Sequence, residues 1–261
     1  MKTKDTLRIT LAQIDLEWEN PSQNLTNVES LIRPLKGLTD LVILPETFNT
    51  GFTMRVTDLA EPMDGTTIQW MSRLTRELNL ALCGSILVTE EEKYFNRFLF
   101  VTPDGVVRFY NKRHLFSIGQ ESELLTPGDQ RELINYLGWG IAPFICYDIR
   151  FPVWCRNRAG ADLMIFSANW PESRVDVWNT LLKARAIENQ VYVAGVNRTG
   201  TDGNGLTYSG NSQIINARGE ITGINNLSNN DLITYNISKQ ELADFRIKFP
   251  VSDDADSFVI S

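Results

Sequence analysis

The chain has 261 residues, 43% apolar, 10% aromatic and 22% charged; this excludes a disordered, collagenous or coiled-coil protein and makes one large domain over residues 1–261 the expectation. A net charge of −7 is carried without a basic cluster, so nucleic acid is not an expected partner. Apolar runs such as Leu41-Val42-Ile43-Leu44 fall far short of the ~20 residues that cross a bilayer, so no membrane span is expected.

Residues 7–16 alternate as a strand. Residues 21–33 follow as a helix, with Ser22 as its expected cap, Leu25, Val28, Leu31 and Ile32 on one face, and Pro34 as its stop. Residues 41–44 form a buried strand ended by Pro45. A helix over 66–78 carries Ile68, Met71, Leu74 and Leu78 on one side, and 81–88 returns as strand. Strands at 94–101 and 106–110 flank Thr102-Pro103-Asp104-Gly105, whose proline presets φ and whose glycine tolerates positive φ; the pair is an antiparallel hairpin. Further strands are expected at 140–145, 163–167, 191–196, 212–215 and 232–237, with a helix starting near Pro152 and a long one over 174–189. The run Gly200-Thr201-Asp202-Gly203-Asn204-Gly205 lacks the third glycine of a dinucleotide loop and reads as a surface turn. The pattern is that of a layered α/β domain with mixed strand directions.

The opening Met1-Lys2-Thr3-Lys4-Asp5 leads into alternating residues rather than the apolar block of a secretory signal, so a cytoplasmic chain is expected. Cys83, Cys146 and Cys155 cannot all pair and match no zinc spacing, which fits a reducing compartment and no metal. The Asn-x-Ser/Thr triplets at Asn24, Asn197, Asn226 and Asn236 are then chance. His114 is the single histidine, which excludes two-histidine metal sites by count, and neither Gly-x-Ser-x-Gly nor a phosphate loop occurs. A Cys-His thiol hydrolase stays open, but His114 reads better as a hydrogen-bonded structural side chain beside Lys112. A cysteine nucleophile would then need a carboxylate base.

Three segments lie at strand ends. A buried strand delivers Cys146 in Ile145-Cys146-Tyr147-Asp148, where the following Tyr147 N–H could face a developing oxyanion. Taken alone, Cys146 reads as a small buried filler. Glu46 stands just beyond the strand 41–44 and reads either as a desolvated acid able to exchange protons near neutrality or as a solvated loop acid. Lys112 follows the hairpin and by itself would be a surface lysine. Polar side chains at the carboxyl ends of neighbouring strands converge on one crevice, so acid, ammonium and thiol can share a pocket.

Together these segments resemble the nitrilase, or carbon-nitrogen hydrolase, superfamily. The matches are Leu44-Pro45-Glu46-Thr47-Phe48, Tyr110-Asn111-Lys112-Arg113-His114-Leu115-Phe116 and Ile145-Cys146-Tyr147-Asp148-Ile149-Arg150-Phe151-Pro152, in the family's order. Supporting stretches include Ala12-Gln13, Ser167-Ala168-Asn169-Trp170-Pro171, Lys183 to Asn189 and Gly210-Asn211-Ser212, so the likeness covers essentially the whole chain. It implies an α-β-β-α sandwich with mixed sheets, a homodimer formed through the helical layers, and a Glu-Lys-Cys triad of Glu46, Lys112 and Cys146. It also implies a second glutamate near the lysine, which maps best to Glu121, with Glu123 competing. Within the superfamily the flanks resemble the ω-amidase branch: His114-Leu115-Phe116, the run Glu121 to Gly128, Asn169-Trp170-Pro171 and the acidic tail ending at Phe258.

The reaction so implied is hydrolysis of the terminal amide of a small dicarboxylate monoamide such as 2-oxoglutaramate or succinamate, with no metal or organic cofactor. Glu46 acts as base, Cys146 attacks, and Lys112 with the Tyr147 amide holds the oxyanion; Glu121 keeps Lys112 charged. Phe48, Phe116, Asn169 and Trp170 are the expected substrate-binding residues. Arg113, Arg174 and Lys183 are candidates for pairing a substrate carboxylate, and Asp148 with Arg150 is expected to form a structural ion pair. Hydrolysis of an N-carbamoyl amino acid or a nitrile is the nearest rival reading, and a non-catalytic binding protein is the rival of another class.

Overall fold

The alternation of Leu7, Ile9 and Leu11 with Arg8 and Thr10 becomes the strand from which the first half of the chain is built. In the computed structural model, which describes residues 3–157, 160–224 and 231–260, that half comprises β1 (Thr6–Gln13), α1 (Pro21–Ile32), β2 (Leu41–Ile43), α2 (Val56–Leu59), α3 (Thr66–Leu78), β3 (Ala81–Glu90), β4 (Lys93–Val101) and β5 (Val107–Asn111). The second half comprises α4 (Glu121–Leu124), β6 (Ile134–Tyr136), β7 (Trp139–Ile145), β8 (Leu163–Ala168), α5 (Val175–Asn189), β9 (Tyr192–Asn197), β10 (Thr199–Thr201), β11 (Thr207–Ser209), β12 (Gln213–Ile215), β13 (Ile221–Ile224), β14 (Asp231–Ser238) and α6 (Lys239–Lys248). The Asn226 triplet lies outside the described residues.

Two six-stranded sheets form, in the orders β14-β1-β2-β3-β4-β5 and β13-β12-β9-β8-β7-β6. Each has a parallel centre, β1-β2-β3 in one and β7-β8-β9 in the other, flanked by antiparallel pairs. Parallel neighbours need a crossover, and α1, α3 and α5 supply three of them. Successive residues of a strand point to opposite faces. On β2, Leu41 and Ile43 therefore enter the core that also holds Ile145 and Phe166, while Val42 packs with Leu25, Val28, Met71 and Leu74 of α1 and α3. Trp178, Leu182 and Ala186 of α5 cover the second sheet, which completes an α-β-β-α sandwich. Each fully buried leucine- or phenylalanine-sized side chain in these layers contributes roughly 1.5–3 kcal/mol.

Several local expectations are corrected. The cap of α1 is Asn20, whose side chain accepts from the Gln23 N–H, not Ser22. Pro34 ends the α-helix but sits inside a following 3-10 turn, Arg33–Leu35, because a proline needs no N–H at the start of a helical turn. No helix begins near Pro152; a 3-10 turn, Cys146–Arg150, precedes it and Cys155 lies buried in the turn beyond. The glycine-rich run is an exposed turn, as expected, and it joins β10 to β11 in a hairpin. Asn24 and Asn197 are buried and hydrogen-bonded, so neither is an exposed acceptor triplet. Among the described residues no helix is long and apolar enough to cross a membrane.

Candidate active site

Strand direction places the site. β5 runs in the same direction as β2 and β3 because the two antiparallel steps through β4 restore direction, so Glu46 beyond β2 and Lys112 after β5 emerge at one rim. Cys146 follows β7 and Asn169 follows β8 at the corresponding rim of the second sheet. The two rims are tied together: Ser167 Oγ donates to the Leu44 carbonyl at 2.9 Å, and Asn169 N–H donates to Glu46 Oε2 at 2.9 Å. Asn169 Nδ2 donates to the Glu46 carbonyl at 2.7 Å and to Thr47 Oγ1 at 3.0 Å.

Both strand ends carry strained backbone. Thr47 has φ +42° and Cys146 φ +43°, in the left-handed region that costs a non-glycine residue about 1–3 kcal/mol. Thr47 is held there by its own N–H to Ser85 Oγ at 2.9 Å. Cys146 opens the 3-10 turn, whose first N–H groups, that of Tyr147 among them, have no acceptor within the turn.

At the centre, Lys112 Nζ lies 2.8 Å from Glu46 Oε1 and 2.7 Å from Glu121 Oε2, all three side chains buried. Asn96 Nδ2 donates to Glu46 Oε1 at 2.8 Å, and the Phe116 N–H donates to Glu121 Oε2 at 2.7 Å. Burial works against the Lys112 charge, but the Glu121 and Glu46 carboxylates outweigh it and hold the ammonium above the ordinary lysine value. Glu121 is pushed up by burial and by Glu46, against the pull of Lys112. The Cys146 thiol is raised by burial first and then by the neighbouring Glu46 carboxylate, so it rests protonated at neutral pH. A neutral thiol beside a carboxylate, with an ammonium next to both, is an arrangement for base-assisted attack on a carbonyl. Of these groups Lys112 and Cys146 line a cavity of about 60 Å³, together with Phe52, Phe116, Tyr147, Trp170 and Arg174, while Glu46 and Glu121 stand behind the ammonium.

Residues 8–247 match the profile described as carbon-nitrogen hydrolase. The chain belongs to the carbon-nitrogen hydrolase family. It is 42% identical to Omega-amidase YafV of Escherichia coli K12, over 97% of this chain and 98% of that one. It is 32% identical to the 2-oxoglutaramate amidase of Bacillus subtilis, over 94% and 96% of the two chains. A CN-hydrolase superfamily protein from Xanthomonas campestris, solved with an arsenic adduct in its active site, superposes with a TM-score of 0.96 at 44% identity, covering 99% of this chain and 100% of that one. The protein is thus a hydrolase of carbon-nitrogen bonds other than peptide bonds.

In this carbon-nitrogen hydrolase Glu46, Lys112, Glu121 and Cys146 come together, and Glu123 is exposed and apart from them. Phe116, Asn169 and Trp170 line the cavity, as does Tyr147. Phe48 does not: it is fully buried between the first sheet and α3, its ring 6.2 Å from that of Trp70, because residue 48 turns back under the loop and hydrogen-bonds to β3. Of the three candidate cations only Arg174 reaches the cavity; Arg113 donates to the Gly128 carbonyl and Lys183 is exposed on α5. Asp148 and Arg150 do not pair. Arg150 lies 5.1 Å from the Trp170 ring centre at the cavity wall.

The Asp148 carboxylate instead joins the lysine loop to the cysteine turn. It accepts from Tyr110 Oη at 2.8 Å, the His114 N–H at 2.9 Å and the Ile145 N–H at 3.1 Å, and His114 Nδ1 lies 2.8 Å from it. His114 also stacks on Phe151 at 3.7 Å, which makes it a structural side chain. Asp148→Ala leaves these buried donors unanswered and is expected to lower stability by on the order of 3–5 kcal/mol. Urea unfolding reads this as a lower midpoint at unchanged m. Asn96 was not anticipated from the sequence. Its signal is an asparagine within the strand Tyr94-Phe95-Asn96-Arg97-Phe98, where that residue type is depleted unless it has a buried partner.

Proposed function

We propose that this carbon-nitrogen hydrolase cleaves the terminal amide of a small dicarboxylate monoamide, of the 2-oxoglutaramate or succinamate type, through a thioester on Cys146. The observation that carries the reading is one small cavity in which a thiol, a buried ammonium held by two carboxylates, and the guanidinium of Arg174 all meet. Arg174 enters no ion pair among the described residues and lies over the Phe116 ring at 5.4 Å, which leaves it for a substrate carboxylate. Similarity to the two amidases supports the substrate class.

Glu46 takes the Cys146 proton as sulfur attacks the amide carbon. Charge develops on the carbonyl oxygen, where the Lys112 ammonium and the Tyr147 N–H stabilise it more than they stabilise the neutral amide. Glu46 then gives its proton to the departing nitrogen, and ammonia leaves a thioester. The same carboxylate activates water, which releases the acid and restores the thiol. Glu121 is a positioning residue that keeps Lys112 charged and oriented. Asn169 Oδ1 is buried without a partner among the described residues, since Nδ2 must face the Glu46 carbonyl; it is placed to accept a substrate amide N–H. Phe116 and Trp170 form apolar walls.

The catalytic unit spans residues 1–261 and works in the cytoplasm, where Cys146 stays a free thiol. Two copies pair through the outer helical layer, where Ile187, Ile247 and Phe249 are exposed.

Ammonia release from 2-oxoglutaramate and succinamate, measured beside an N-carbamoyl amino acid and a nitrile, tests the reading. The monoamides are expected to be preferred by about 10²-fold or more in kcat/KM. Arg174→Ala is expected to raise KM for succinamate by about 10-fold to 100-fold while leaving butyramide, which has no carboxylate, unaffected. Turnover confined to the carbamoyl compound or the nitrile would reassign the substrate class.

A further inference from the structure

We infer that the same site accepts monoamides carrying an apolar acylamino group on the carbon that bears the carboxylate, with the acyl chain seated in a vestibule outside the catalytic cavity. The inference rests on the proposed role of Arg174 as carboxylate partner. The inner cavity, about 60 Å³, holds little more than the amide end of a substrate. An open second cavity of about 750 Å³ lies outside it, and the two share Phe52, Phe116, Pro171, Arg174 and Leu206 as walls. A carboxylate on Arg174 therefore stands at the throat, and a substituent on its neighbouring carbon leads outward.

The vestibule offers such a group an apolar surface. Ile118 and Leu206 stand at its rim with 82% and 46% of their surface exposed, and Trp18 and Met54 line it between them. Its other charges are engaged: Glu19 pairs with Arg55 at 2.8 Å, and Asp202 accepts from Tyr208 Oη at 2.8 Å and from the N–H groups of Asn204 and Leu206. Two glycines admit the aromatic walls. A Cβ on Gly119 would stand 2.7 Å from the Phe116 ring, and one on Gly203 would stand 2.3 Å from the Trp18 indole. The acyl group matters for charge as well as for contact. A free amine on that carbon would place a second cation beside the Arg174 guanidinium, whereas an acylated nitrogen is neutral.

The test measures ammonia from glutarate monoamide and from Nα-acetyl-, Nα-butanoyl- and Nα-hexanoyl-glutamine, with mass spectrometry confirming that the acylglutamate is the product. From acetyl to hexanoyl, kcat/KM is expected to rise about tenfold, mainly through KM, as the added methylenes leave water. Ile118→Glu and Leu206→Glu, each at an exposed position, are expected to bring the hexanoyl-to-acetyl ratio back towards one. A flat or falling series, or a rise that survives both variants, overturns the inference while hydrolysis of glutarate monoamide leaves the proposed function standing. If glutarate monoamide and the whole series release no ammonia, both readings fall.

Discussion

Cys146→Ala is expected to lower ammonia release by about 10⁴-fold or more, because among the described residues no other thiol lines the cavity and the remaining groups can only polarise the substrate. Cys83 and Cys155 are buried in the core and in the turn after Cys146, so they cannot substitute. The alanine variant should unfold at the temperature of the parent protein within a few degrees, since the replaced sulfur makes one weak contact, 3.9 Å from the Asn169 carbonyl. Quenching the parent with substrate and digesting it should give an acyl mass on the peptide carrying Cys146, and none in the variant. Undiminished turnover by Cys146→Ala would remove thiol catalysis from consideration. Glu46→Gln complements this test. With the thiol raised by burial, alkylation of Cys146 by iodoacetamide in that variant should be slow near neutrality and climb above pH ~8.5, the ordinary thiol value.

Lys112→Met is the second large effect. It removes an oxyanion donor, which costs about 10²–10³ in kcat, and it leaves Glu46 and Glu121 facing each other without the cation between them. Two desolvated carboxylates cannot both stay ionised, so one takes up a proton and the base function suffers as well. Breaking a buried pair also destabilises, by roughly 3–5 kcal/mol. Glu121→Gln separates the contributions: it keeps the ammonium and the Glu46 contact, so its kcat should fall less than that of Lys112→Met, with KM little changed. The sign of the pH dependence follows from the raised Lys112 value. A lysine whose folded value lies above its unfolded one contributes stability that is fully present below about pH 10.4 and is lost as pH rises through the folded value. Alkaline unfolding should therefore be steeper in the parent than in Lys112→Met. Equal slopes would mean that Lys112 is not charged in the folded protein.

How the site was legible depends on the range of the interaction that makes each part. Hydrophobic period and proline or glycine punctuation are local, so β2, α3, the β4-β5 hairpin and α5 could be read within a residue or two. Features fixed by contacts between distant segments could not. Ser22 and Asn20 are both good caps by type, and only the approach of the chain selects Asn20. The strand β6 and the helix α6 carry little periodicity of their own; β6 forms because β7 pairs with it, and α6 because Ser238 caps it and Leu242 packs into the core. Phe48 looked like a pocket wall because it stands two residues from Glu46, yet the positive φ of Thr47 turns it the other way, into the core against Trp70.

By itself the sequence determined the chemistry available: one histidine, a cysteine, a glutamate and a lysine each at the end of an apolar strand, in an order that the family shares. Tertiary structure decided which of these groups meet. Glu121 rather than Glu123 reaches Lys112, Arg174 rather than Arg113 or Lys183 reaches the cavity, and Asp148 binds Tyr110 and His114 instead of Arg150. The reason is physical. Residue type sets what a side chain can donate, accept or attack, but burial and proximity set its charge state, and both arise from segments brought together across sequence separations of 34 to 123.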